Sequence, residues 1–184
     1  MAKLLLVLDL DETLVHARED ALLGAPDWSI ARYHVYKRPH VDWFLETVLA
    51  RYEVAIWTAA GRTYAEAVVD RLLGAAASKL AFLWCAERCT QRFDHETRNR
   101  DTVKKLLKVR RRGYDLARVV AVDDTASKYQ LSYGNLVVVP PFEGDRLDQE
   151  LSRLARYLAY LDGFRDVRPV EKRGWRSRAA GDDF

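Results

Sequence analysis

The run "KLLLVLDL", residues 3–10, constrains the chain most, because it carries no polar alternation before Asp9. A strand with one wet face alternates apolar and polar side chains, whereas a continuous apolar strand is covered on both faces, as at the centre of a parallel sheet. The run then ends in acids, with Asp9, Asp11 and Glu12 crowded at its tip. Open parallel sheets bind ligands outside the carboxyl ends of their strands, so a greasy strand tipped with carboxylates is a rigid mount for chemistry.

The rest of the chain repeats the theme. Val41, Phe44, Leu45, Val48 and Leu49 fall at helical spacing over 40–51, with Pro39 as a start signal. "YEVAIWT" reads as a second covered strand, "GRTYAEAVVDRLLG" as a helix closed by Gly74, and "KLAFLW" as a further strand. "DTVKKLLKVRRRG" predicts a helix capped by Asp101 and ended near Gly113, and "ARVVAVDD" another covered strand ending in acids. A short helix "ASKYQLSYG", a strand "NLVVVPP" and a long helix from about Asp145 to Leu161 complete the body. This alternation predicts an α/β fold: a three-layer, Rossmann-like parallel sheet with helices on both faces. Residues 17–37 do not suit a crossover helix; Gly24, Pro26 and the alternating "IARYHVYK" predict a β-hairpin or flap inserted after strand one. The expected division is a single domain over 1–162, with the flap at 17–37 and a second small insertion at 80–100, followed by a charged, aperiodic tail over 163–184.

Composition narrows the function classes. A chain of 184 residues that is 49% apolar suits one compact domain. No stretch reaches the roughly 20 apolar residues needed to span a bilayer, and the opening apolar run is too short for a signal peptide. The expectation is a soluble, unexported protein, cytoplasmic or, in a eukaryote, nuclear, with no membrane partner. Cys85 and Cys89 stand at C-x3-C spacing with only His95 nearby as a further ligand, so buried free thiols are expected rather than a zinc site. The net charge is +3, yet residues 98–118 hold nine Lys or Arg against two Asp. That segment is either a solvated helix face or a surface for an acidic or phosphorylated partner.

If the "LDLD" and "AVDD" strands are neighbours, Asp9, Asp11, Asp123 and Asp124 gather at one edge. Such crowding costs several kcal/mol unless a cation or shared protons relieve it. Mg2+ is the economical answer, since it binds through one or two carboxylates, waters and a phosphate oxygen. Asp9 at the strand end can act as nucleophile and Asp11, two residues on, as general acid and base. Thr58, with the backbone N–H groups beside it at Ala59, offers donors for a phosphoryl group, and Lys104 or Lys105 the cation.

These segments resemble the haloacid dehalogenase (HAD) superfamily, in its FCP/SCP-like or NLI-interacting-factor-like branch of phosphatases, over about residues 3–162. "DLDETLVH" is similar to the first motif, "KRPHVDWFL" to the start of the first long helix and "IWTAAGRTYAEAVVD" to the second motif region. "DTVKKL" resembles the lysine motif and "VVAVDDTASKY" the last acidic motif. The resemblance implies Asp9 as nucleophile, Asp11 as general acid/base, Thr58 as phosphate ligand and Lys104 as the phosphate-binding cation. It further implies Mg2+ held by the Asp9 carboxylate, the Asp11 backbone carbonyl and the Asp124 side chain, with Asp123 orienting the site. Many relatives carry Asn where Asp124 stands, and "WCAERC" has Ala86 where protein-directed relatives often carry Arg, with Arg88 two positions later.

The resulting expectation is a Mg2+-dependent phosphomonoesterase that works through an aspartyl-phosphate on phosphoserine or phosphothreonine in protein. The alternatives are a nucleic-acid-end or small-metabolite phosphatase and, from another class, a catalytically silent binding module of the same fold. Arg62 is a candidate for a substrate anion. His16, His34, His40 and His95, Tyr64 and the flap aromatics Trp28, Tyr33 and Tyr36 are expected mainly to pack or to order the entrance.

Overall fold

A computed structural model describes residues 2–93 and 100–180. The strands and helices are β1 (Leu5–Leu8), β2 (Val15–Arg18), β3 (Trp28–Ile30), β4 (Tyr33–Lys37), α1 (Val41–Arg51), β5 (Glu53–Trp57), α2 (Arg62–Leu73), β6 (Leu83–Trp84), β7 (Thr90–Phe93), β8 (Arg100–Val103), α3 (Leu107–Arg110), β9 (Val119–Asp123), β10 (Leu136–Val138), α4 (Glu150–Asp162) and α5 (Trp175–Ala180). Five strands form a parallel sheet in the order β10-β9-β1-β5-β6. β1 is central, and its side chains divide between the two faces. Leu6 and Leu8 join the larger core under α1, α2 and α4, whereas Leu5 and Val7 join a second core with Trp57, Trp84, Leu106, Val109 and Tyr129. Burial on both sides is why this strand shows no alternation.

Several expected elements change shape. The stretch from Asp101 to Gly113 is not one capped helix: residues 100–103 are a strand paired antiparallel with β7, and only Leu107–Arg110 are α-helical. Val103, Leu106 and Val109 are all buried and three apart, which imitates a helical stripe although Val103 lies on β8. The second face of the sheet is consequently covered by one short helix and single 3-10 turns, not by long helices. β6 is only two residues of "KLAFLW", and α4 begins at Glu150 rather than near Asp145, because Asp145 and Asp148 accept from Leu147 N and Glu150 N in the preceding turns.

The insertion after β1 is a three-stranded antiparallel sheet, β2-β4-β3, that starts at Val15. Its base is held by Arg38, a buried side chain that reaches Asp148 Oδ2 at 2.8 Å, Thr13 O at 3.1 Å and Pro140 O at 3.1 Å. The charged segment after Gly163 returns to the core: Val167, Trp175 and Ala179 are buried in the main cluster, and Trp175 Nε1 donates to Val138 O at 2.7 Å.

Candidate active site

The carboxyl ends of β9, β1 and β5 lie side by side. In register, Leu8 stands beside Val122 on one flank and Ile56 on the other, and Asp9 N–H donates to Val122 O at 3.0 Å. Asp9 and Asp123 therefore arrive level with each other, and both are buried. After Leu10 the chain turns sharply, with the N–H groups of Thr13, Leu14 and Val15 converging on the Leu10 carbonyl and Glu12 in the left-handed region at φ 58. The turn brings Asp11 to α2, where Tyr64 donates its hydroxyl to Asp11 Oδ1 at 2.6 Å.

Two ammonium groups enter this carboxylate cluster. Lys104, extended just after β8 and fully buried, lies 3.0 Å from Asp9 Oδ1 and 2.5 Å from Asp123 Oδ2. Lys128, from the turn after β9, lies 3.0 Å from Asp9 Oδ2, 3.1 Å from Asp123 Oδ1 and 3.3 Å from Asp124 Oδ1. The two are tied together through Lys104 N–H, which donates to Lys128 O at 2.7 Å. Asp123 Oδ1 also accepts from Thr125 N, and Asp124 Oδ2 from Thr125 Oγ1.

Across β5, Thr58 is buried; its N–H donates to Trp84 O, and its Oγ1 accepts from Ala60 N at 3.0 Å. Among the described residues, this leaves the Thr58 hydroxyl hydrogen and the Ala59 N–H without an acceptor, and both are suited to a phosphoryl oxygen.

The carboxyls are driven apart in proton affinity. Burial alone raises Asp9, but the charges of Lys104 and Lys128 outweigh it and hold the group below its ordinary 3.8. Asp11 moves the other way: burial, helped by the negative charge of Asp9, raises it, although the Tyr64 hydrogen bond opposes the rise. Burial, together with the charge of Asp9, pushes Asp123 up to about 7 against the pull of both lysines. Lys104 and Lys128 are both raised: burial lowers them, but the neighbouring carboxylates win. One carboxyl held ionised beside another pushed toward its protonated form is the electrostatic arrangement that a nucleophile and a general acid require.

Known proteins carry the same segments. The model of the NLI interacting factor-like phosphatase family matches residues 4–168. The CTD nuclear envelope phosphatase 1 homolog of Drosophila melanogaster is 30% identical over 183 residues, covering 91% of this chain and 71% of the relative. The chain belongs to the NLI interacting factor-like phosphatase family. CTD nuclear envelope phosphatase 1B of Danio rerio is 33% identical over 184 residues (92% and 71% of the two chains), and the mitochondrial import inner membrane translocase subunit TIM50 of Phytophthora infestans is 37% identical over 162 residues (85% and 34%). The solved RNA polymerase II CTD phosphatase Fcp1 shares the fold, with a TM-score of 0.58 at 19% identity over 90% of this chain and 51% of the other.

Of the two adjacent lysines, Lys104 and not Lys105 touches the carboxylates. Arg62 does not join them; it is exposed and pairs with Glu66 and Glu87. His16 pairs with Glu12 at 2.9 Å, His34 lies on β4, His40 heads α1, and His95 lies outside the described residues. Cys85 and Cys89 are free thiols, with Cys89 Sγ 3.6 Å from Thr58 O. Lys128 is the residue sequence reasoning passed over. Its signal was its position, four residues after Asp124 in a turn leaving an acid-tipped strand.

Tyr64 was expected to pack, and its ring does meet Tyr33 of the flap at 5.8 Å, but its hydroxyl holds Asp11. That bond stabilises the Asp11 carboxylate, so Tyr64→Phe should let the Asp11 pKa rise further. The limb of the kcat/KM profile on which activity is lost through deprotonation of the acid should then move to higher pH, by roughly half a unit to one unit. An unmoved limb would remove Asp11 from that role.

Proposed function

We propose that this domain is a Mg2+-dependent phosphomonoesterase that acts on phosphoserine or phosphothreonine in protein through an aspartyl-phosphate on Asp9. The observation that carries the proposal is the burial of Asp9 between Lys104 and Lys128, with Asp11 two residues away on the Tyr64 hydroxyl. Asp9 is ionised and desolvated, as a nucleophile must be. Its oxygen forms the bond to phosphorus while the ester P–O bond breaks, and Asp11 delivers its proton to the departing oxygen. Asp11 then takes a proton from water, whose oxygen displaces Asp9 and releases inorganic phosphate. Lys104, the Thr58 hydroxyl and the Ala59 N–H face the charge on the transferring group.

The residues fit a divalent cation. Carboxylate oxygens of Asp9, Asp123 and Asp124 lie within 4.8 Å of one another. Lys104 and Lys128 offset part of the cluster's negative charge, and the carboxylate oxygens of Asp9 and Asp124 are donors of the hard kind that such an ion takes. When bound, Mg2+ would be held by Asp9 and Asp124, with Asp11 and Asp123 beside it, and would neutralise charge on the phosphoryl oxygens. Lys128 lies against the same three carboxylates and contends with that ion. Lys128→Met should therefore tighten Mg2+ binding, roughly tenfold by isothermal titration; weaker binding in the variant would mean that the ammonium helps to assemble the metal site.

Release of phosphate from phosphopeptides, compared with 3'- and 5'-phosphorylated oligonucleotides, in the presence and absence of Mg2+, tests the reading. Preference for oligonucleotides or a small metabolite would replace the protein substrate. No turnover of para-nitrophenyl phosphate at any pH or divalent ion would leave a binding module.

A further inference from the structure

Part of the basic segment, for which the sequence leaves open both a solvated face and a surface for an acidic or phosphorylated partner, folds into a feature that the reaction at Asp9 does not use. Glu87, Arg88, Lys108, Arg111 and Arg112 line a cleft of about 350 Å³ on the β6 side of the sheet. Its walls are organised. The Arg88 guanidinium lies 4.6 Å from the centre of the Trp84 ring, and that of Arg112 lies 5.2 Å from Phe82 and 5.8 Å from Trp84. Lys108 Nζ donates to Arg88 O at 2.6 Å. Cation-π stacking thus fixes two guanidinium groups that would otherwise repel each other.

The charge is not balanced locally. Among the described residues, none of Arg88, Lys108, Arg111 and Arg112 forms a salt bridge with a carboxylate, and the one acid of the cleft, Glu87, is taken by Arg62. Burial first, and then the nearby charges of Arg88 and Lys105, lower the Lys108 pKa. The cleft also adjoins the proposed phosphate-binding residues, because Thr58 N–H donates to Trp84 O and Cys89 Sγ approaches Thr58 O.

We propose that this cleft is a second anion subsite, one that takes a further phosphorylated residue of the same polypeptide substrate. The inference rests on the phosphoprotein reading above and narrows it to multiply phosphorylated segments. Fork-shaped guanidinium groups match a phosphate dianion in geometry and charge. A nucleic acid fits less well, because Phe82 and Trp84 are buried under Arg88 and Arg112 and offer no face on which a base can stack. Two strand spacings of about 4.8 Å separate β1 from β6, whose Trp84 carries the stacked guanidinium groups of Arg88 and Arg112. An extended chain at about 3.3 Å per residue covers that span in about three to five residues.

The test compares peptides carrying one phosphoserine with peptides carrying a second, three to five residues to either side, and with glutamate in place of the second. Para-nitrophenyl phosphate turnover serves as the independent readout of the Asp9 centre. The expected result is a kcat/KM roughly tenfold higher for the doubly phosphorylated peptide in one direction. Glutamate should give a smaller gain, and the advantage should fall to about twofold or less in Arg111→Glu. Arg111 is exposed and stacks on no ring, so the variant should fold and should turn over para-nitrophenyl phosphate as the wild type does. No advantage from the second phosphate, an equal advantage with glutamate, or an advantage that survives Arg111→Glu would each overturn the inference. So would an oligonucleotide that abolishes the gain by competing at the cleft. Failure on para-nitrophenyl phosphate itself would instead strike the reading of the Asp9 centre, and the two failures are thereby told apart.

Discussion

Asp9→Asn is expected to lower turnover of para-nitrophenyl phosphate by about 10⁴-fold or more, because no other carboxylate stands in its place to form the bond to phosphorus. Asparagine keeps the shape of the side chain but loses the charge that Lys104 and Lys128 hold ionised. The fold should survive the change. The main-chain bond from Asp9 N to Val122 O does not depend on the side chain, and both lysines retain Asp123. Circular dichroism with an intact cooperative melt, measured on the sample used for kinetics, separates lost chemistry from lost structure. Residual activity within tenfold of the wild type would assign the attack to water or to another group.

Lys104→Met should damage both stability and catalysis. The ammonium is fully buried between Asp9 and Asp123, and removing one partner of a buried ion pair leaves charge uncompensated, at a typical cost of about 3–5 kcal/mol. Lys128, which touches the same two carboxylates, should hold the loss near the lower end of that range. The sign of the pH dependence follows from Asp9. Its folded-state pKa lies below the ordinary 3.8, partly because of Lys104, so its ionised form contributes stability above that pH and loses the contribution as pH falls through the lowered value. The Asp9 share of the stability gap between wild type and Lys104→Met should be full at pH 7 and should narrow below about pH 4, while Asp123, pushed up to about 7, adds to the gap only at higher pH. Urea unfolding at the two ends of that range measures it; a gap independent of pH would mean that lost packing, not charge, dominates. Catalysis should fall by about 10²–10³-fold at neutral pH, the usual loss when a positioned charge on a developing anion is removed.

The parts of the site readable in the sequence are those fixed by local rules. Asp9 and Asp123 end apolar strands, and the absence of alternation in β1 and β9 announces strands covered on both faces, which must be sheet neighbours or nearly so. The parts that were not readable depend on contacts made at a distance. β8 reads as helix because three buried residues at intervals of three satisfy a helical period, while the pairing with β7 that decides its conformation joins residues 7 to 13 apart in sequence. That correction matters for chemistry, since the extended chain leaving β8 carries Lys104 N–H to Lys128 O and Lys104 Nζ to the acids. Lys128 looks like any lysine of a short polar turn until Asp9, Asp123 and Asp124 are seen around it.

The segment after Gly163 misled by its charge. Asp166 pairs with Arg168 and Glu171 with Arg173 within the segment, and Arg176 reaches Glu150 of α4, while Val167 and Trp175 enter the core. Lys172 is buried as well, its ammonium donating to the carbonyls of Val167 and Val170, and burial pushes its pKa down to about 8. Aperiodic charge is a poor guide there, because a few buried residues, Val167, Trp175 and Ala179 among them, hold the segment to the core.

Capture of phosphorus by the Asp9 carboxylate is the step on which the functional account turns. An Asp11→Asn variant should still be attacked at phosphorus by Asp9 when given an activated substrate such as para-nitrophenyl phosphate, but should be slow to release the product. Acid quenching during turnover, followed by digestion and mass spectrometry, should then find a phosphoryl adduct on Asp9 that is absent from Asp9→Asn. Steady release of phosphate by the wild type with no adduct on Asp9 in the slowed variant, or with the adduct on another residue, would contradict it.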